Sequence, residues 1–204
     1  MGILSASTSF TRYRIAEDVP DTLWPEVVAR LKAHRFQEIE DTAEERSFGW
    51  VSFDEMLDAD FSQSPPEKGE YITFALRLDT RRIQAAVKKK HTRLALEEYK
   101  RNIEEQGRKG ITREERDEIL EQVRLKLLTR TLPVPAVFDV VWNTAASRIY
   151  LGSTRDKIQE MFEEIFYHTF GLQLIPLHPY FLAQENLDSK RREHLDSLEP
   201  TLFI

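Results

Sequence analysis

Between residues 77 and 101 the chain carries nine basic side chains against Asp79, Glu97 and Glu98. Most fall in Arg81-Arg82-Ile83-Gln84-Ala85-Ala86-Val87-Lys88-Lys89-Lys90-His91-Thr92-Arg93, with Lys100-Arg101 seven residues further on. On a helix, successive residues are turned by about 100°, which places Arg82, Lys89, Arg93 and Lys100 along one face. Such a row of cations can meet successive phosphates of a nucleic acid and release its counterions. Point charges on flexible stems suit phosphate contact and carry no base-edge readout. Arg81, Arg82, Lys88, Lys89, Lys90, Arg93, Lys100 and Arg101 form the candidate DNA-contacting set.

A single charge run is more often a solvated helix face balanced by glutamates. The distribution of charge weighs against that here. Residues 1–76 hold 7 basic and 15 acidic side chains, residues 77–130 hold 16 and 10, and residues 131–204 hold 6 and 10. The net charge of −6 thus divides into −8, +6 and −4, and a partner responds to the local field before the sum.

Other chemistry finds less support. The 204 residues contain no cysteine, which removes thiolate nucleophiles, cysteine zinc sites and disulfides. The seven glycines are dispersed, so no Gly-rich phosphate loop can form, and the G-x-S-x-G, H-E-x-x-H and Walker patterns are missing. The five histidines, His34, His91, His168, His178 and His194, include no i, i+4 pair. His168 near a helix end is expected to cap it. Asp54, Glu55, Asp58 and Asp60 could hold Mg²⁺ for phosphodiester hydrolysis, yet an acidic loop kept for solubility explains them as well. Asp139 is a second, isolated acid. Trp50 and Trp142 could stack on bases, but each sits in an alternating apolar pattern that reads as core. No cofactor and no metal site are expected, and the chain is expected not to be an enzyme.

The elements that would hold the basic stretch can be read from pattern. Ser9 to Ile15 alternates as a strand. A helix capped by Asp21, with Pro25 in its first turn, should run toward Phe36. Strands follow at Ser47–Phe53 and Glu70–Leu78, joined by a polar loop. From Arg81 to Gly107 strong helix formers run without proline or glycine. Thr112-Arg113-Glu114-Glu115 is a capping box opening a second helix to about Arg130. The two should pair as a hairpin, with Ile83, Val87, Leu94, Tyr99 and Ile103 facing Ile119, Leu120, Val123 and Leu127. Ala136–Trp142 and Arg148–Leu151 read as a strand pair, Thr154–Phe170 as an amphipathic helix closed by Gly171, and Leu172–Leu177 as a last strand.

The expected fold class is α+β: two strand-helix-strand units with small antiparallel sheets flanking a projecting helical hairpin. The expected division is 1–78, 79–132, 133–184 and an acidic tail over 185–204. Neither a membrane-length apolar run nor a secretory signal is visible, so a soluble, non-exported protein is expected.

In this order the residues resemble the RdgC family of bacterial recombination-associated proteins. Carrying the resemblance are Gly49-Trp50-Val51, the basic helix Ile83-x-x-Ala86-Val87 with its lysines, Leu127-Leu128-Thr129-Arg130-Thr131-Leu132 with Trp142 beyond, and Gly171 through Pro176-Leu177. It extends over about residues 10 to 180. The resemblance implies a non-enzymatic, sequence-independent double-stranded DNA binder on the nucleoid in the cytoplasm. The family's homodimer encircles duplex DNA and restrains a recombinase, although its members were once described as exonucleases. Leu132 and Arg130 fall in a region that resembles the dimer contact. Typical members are longer, which bears on whether a ring could close, and Pro133 and Pro135 depart from the family's pattern. Two rival readings are a protein-assembly module built on the hairpin and, last, a metal-dependent nuclease using Asp54 or Asp58.

Overall fold

In the computed structural model, residues 2–105, 107–108, 110–195 and 197 are described. The order of elements is β1 (Thr11–Ile15), a 3-10 turn (Asp21–Glu26), α1 (Val27–Ala33), β2 (Arg46–Ser52), β3 (Glu67–Lys68), β4 (Tyr71–Thr80), α2 (Ala85–Glu105) and α3 (Arg113–Leu128). The chain continues with β5 (Val134–Asn143), β6 (Arg148–Leu151), α4 (Asp156–Phe170), β7 (Leu174–Pro176), α5 (Pro179–Asn186) and α6 (Ser189–Leu195).

The class is α+β. One open sheet runs β2-β4-β5-β6-β1-β7, with β3 added to β4, in place of the two small sheets expected. The ten-residue strands β4 and β5 are neighbours in that sheet although the hairpin separates them in sequence. Their pairing merges both sets of strands. Register is antiparallel, with Tyr13 opposite Ile149, Arg14 opposite Ile175 and Trp142 opposite Ile149.

Contacts divide the chain into two compact units, each discontinuous in sequence: Met1–Arg35, Trp50–Leu76 and Phe138–Ile204 in the first, Phe36–Gly49 and Arg77–Val137 in the second. In the first unit α4 buries Ile158, Phe162, Ile165, Phe166 and Phe170, at three- and four-residue spacings that make one apolar face. Trp50 and Trp142 are fully buried, as the alternation of their strands implies. Trp50 meets Phe74 edge-on at 5.0 Å between centroids, and Trp142 meets Phe166 at 5.5 Å and Phe170 at 5.4 Å. Trp50 Nε1 donates to Thr169 Oγ1 at 2.8 Å. Burying each large apolar side chain contributes about 1.5–3 kcal/mol. Gly171 ends α4 at φ 72°, in the left-handed region where glycine carries no Cβ penalty.

The second unit contains the hairpin. Ile119, Val123 and Leu127 of α3 form its core, and Ile83, Ala95, Leu96 and Tyr99 pack against them. Val87 and Leu94, expected on this face, are exposed instead. Counting 100° per residue, Ile103 and Leu96 lie nearly opposite Val87 and Leu94 on α2. The expected stripe, which joins Val87 and Leu94 to Ile103, therefore spans two faces of one helix.

Two helix starts also differ from expectation. Asp21 is not an N-cap: Pro20 occupies that position ahead of a 3-10 turn, and α1 begins only at Val27. With Asp21 as cap, the first required α-helical donor would be the N–H that Pro25 lacks. The basic helix starts at Ala85, leaving Arg81 to Gln84 outside it. After β7 the chain forms α5 and then α6, the latter within the stretch expected as an acidic tail, and Leu202-Phe203-Ile204 lies outside the described residues. No helix among the described residues is long and apolar enough to cross a membrane.

Candidate nucleic-acid interface

Helix α2 runs for 21 residues, about 30 Å at 1.5 Å per residue. The turn that brings α3 back against it is secured by side chains close in sequence. Thr112 accepts from the Glu115 N–H at 3.2 Å, and Glu115 Oε2 accepts from the Thr112 N–H at 2.9 Å. Arg108 Nη1 lies 2.8 Å from Glu115 Oε1, and the Tyr99 hydroxyl bonds the same carboxylate. With Arg108 foremost, then the Thr112 amide and Tyr99, these donors hold the Glu115 carboxyl at about 2.

The base of α2 is secured differently. Arg81 is nearly fully buried. Its Nη2 donates to the carbonyls of Ile39 and Glu40, both at 2.7 Å, and its Nη1 donates to those of Thr42 and Glu44. The Arg81 N–H donates to the Glu45 carbonyl at 2.9 Å. Arg81 is thus a strut between the 39–45 loop and the chain entering α2, and it leaves the candidate DNA-contacting set. Nearby, Arg77 bonds Asp79 and Glu38, with its guanidinium 4.0 Å above the Phe36 ring.

The remaining candidates are exposed. Lys88, Lys89, Arg93 and Lys100 line one open groove along α2, which encloses about 750 Å³. Arg116, from the first turn of α3, adds a fifth cation, and Glu97 is the acid among the lining residues. In sequence Arg116 stands among acids, Glu114, Glu115, Asp117 and Glu118, that offset its charge. The signal that would have singled it out is its place just after the capping box, at the end of α3 nearest the distal half of α2. Arg82 precedes the helix, so the helical angle does not apply to it. Lys90 and Arg101 fall on another face and outside the groove lining.

Two of the groove cations have acid partners one turn on. Arg93 Nε lies 2.8 Å from Glu97 Oε1, and Lys100 Nζ lies 3.8 Å from Glu104 Oε1. Arg93 and Glu97 are 82% and 55% exposed, and solvent-exposed pairs of this kind contribute about 0.2–1 kcal/mol. A phosphate can displace such a partner. Arg82, Lys88, Lys89, Lys90, Arg101 and Arg116 make no ion pair among the described residues.

The acids weighed for metal binding are engaged elsewhere. Asp58 accepts from the Ser62 N–H and hydroxyl and from the Gln63 N–H, while Asp54 bonds Ser64 and Lys68. The Lys68 hydrogen bond, then that of Ser64, lowers the Asp54 carboxyl from its ordinary value. Asp139 Oδ2 accepts from the Ile3 N–H at 2.6 Å. Among the described residues no three acidic or histidine side chains are grouped to hold a metal ion. Arg130 lies on the opposite flank of the hairpin with His91, Leu94, Glu98 and Lys126, and Leu132 beyond it is 76% exposed.

The fold is thus an α+β sheet interrupted by a helical hairpin whose long helix presents a row of exposed cations. The model of a family described as "Putative exonuclease, RdgC" matches residues 9–187, and the chain belongs to the RdgC family. No curated protein matches it.

Proposed function

We propose that this protein binds double-stranded DNA without sequence preference, as a homodimer, and modulates recombinase access to that DNA on the nucleoid. The observation that carries the reading is the exposed, cation-lined face of α2 in a chain that is otherwise acidic. Membership of the RdgC family supports it. In this reading Lys88, Lys89, Arg93, Lys100 and Arg116 meet phosphates along one groove, and Arg82, Lys90 and Arg101 widen the field that draws the duplex in. Lysine and arginine on exposed helix turns position a backbone and leave base edges unread. The exposed Leu132, followed by Val134 at 66% exposure, is the apolar surface favoured for the dimer contact with Arg130 beside it. The protein acts without catalysis in this reading, with Asp54 and Asp58 serving the loop they bond.

The test is fluorescence anisotropy of a labelled random duplex titrated at several salt concentrations, with EDTA present. A dimer neutralising about 6 to 10 phosphates should lose roughly 10³ to 10⁵ in affinity between 50 and 200 mM salt. Sequence-independent binding with that slope supports the reading. No binding at low salt overturns it, and Mg²⁺-dependent loss of the duplex without EDTA restores the exonuclease description.

A further inference from the structure

The groove along α2 has a floor as well as a rim. Ala85 and Leu96 of α2 and Ile111 of the turn before α3 line it beneath the cations. From Ala85 to Lys100 it follows the helix for about 22 Å. Duplex phosphates need the rim alone, because nothing on a DNA backbone gains from leaving water against leucine and isoleucine. A ligand complementary to both parts carries acids and apolar side chains on one strip. A small anion would leave most of an open groove of this length unfilled, whereas a helix of about four turns spans it.

We infer that this groove is a docking site for an acidic amphipathic segment of a partner protein, with two apolar side chains seated between Leu96 and Ile111 and its carboxylates against Lys89, Arg93, Lys100 and Arg116. Five cations against Glu97 supply the charge complementarity, which sets orientation and speeds encounter. Seating the apolar anchors supplies most of the affinity. Because all of these cations also serve the proposed DNA surface, peptide and duplex exclude one another, and a partner would lift the protein from DNA by occupying α2.

The probe is a fluorescein-labelled peptide of about 15 residues, rich in Glu and Asp, with Leu and Phe at helical i and i+4 positions. A second peptide of equal charge has Ser at both anchors. The full chain should bind the first at least about tenfold more tightly than the second, and unlabelled duplex should displace it. Ile111→Ser should weaken the first peptide by a similar factor, with duplex affinity unchanged. Ala85→Gln, which fills the floor from an exposed position, should do the same without touching the hairpin core. Equal binding of the two peptides, or no binding of either, overturns the inference. So does a loss of duplex affinity in Ile111→Ser and Ala85→Gln, since the floor would then belong to DNA. Peptide binding without any duplex binding would overturn the DNA reading and leave this site standing.

Discussion

Arg124 of α3 reaches Glu45 across 79 residues of sequence, with Nη2 2.8 Å and Nε 3.2 Å from the same carboxylate oxygen. The Glu45 carbonyl meanwhile takes the Arg81 N–H. One residue of the 39–45 loop therefore receives bonds from the entrance to α2 and from the middle of α3, and ties the base of the hairpin to a single point.

The Arg124–Glu45 pair is more than a third exposed on both sides, so solvent screens it. A double-mutant cycle with Arg124→Ala and Glu45→Ala, read by chemical denaturation, should give a coupling of about 0.2–1 kcal/mol. Raising the salt concentration should reduce it.

Arg81→Ala should be far more damaging. It leaves the carbonyls of Ile39, Glu40, Thr42 and Glu44 without their donor, and buried charge-assisted bonds contribute about 1.5–3 kcal/mol each. A loss of at least about 3 kcal/mol in unfolding free energy is expected. Duplex affinity of the fraction that remains folded should equal that of the parent, which separates Arg81 from the exposed cations.

The capping box gives a local handle on the turn. Thr112→Ala should cost about 0.5–2 kcal/mol, visible as lower helicity and a reduced midpoint in urea. Glu115 has its folded value depressed from 4.5 to about 2. Its contribution is therefore complete above pH 4.5 and is lost as the pH falls toward 2. In Glu115→Gln the acid-dependent part of that loss should vanish, as measured by circular dichroism across this range.

Lys89→Ala and Lys100→Ala, on the groove rim, should each lower the slope of log affinity against log salt by about 1.8 for the dimer, about 0.9 for each protomer's contact, and act equally on duplexes of any sequence. Stability should change by less than about 0.5 kcal/mol, since both side chains are exposed. Unaltered slopes in both variants would show that DNA does not lie along α2.

What could be read in the chain follows from how far each interaction reaches. The Thr112 capping box, the Gly171 cap and the uninterrupted helix of α2 depend on partners within four residues, so their residue types alone disclose them. The alternation around Trp50 and Trp142 likewise marks them as core, since a strand's side chains change face at every residue. The crowding of positive charge into residues 77–130 needs no structure at all. Tertiary structure decided the rest. Nothing near Arg81 distinguishes it from Arg82, and only the carbonyls of residues 39–44, about forty positions earlier, bury one while its neighbour stays in water. Which face of α2 turns inward was set by the fit of Ala95, Leu96 and Tyr99 against α3, because Val87 and Leu94 are just as apolar. The groove arises because Arg116 and Ile111 arrive from beyond the turn. A side chain's chemistry is local, but its exposure belongs to whatever the fold packs against it.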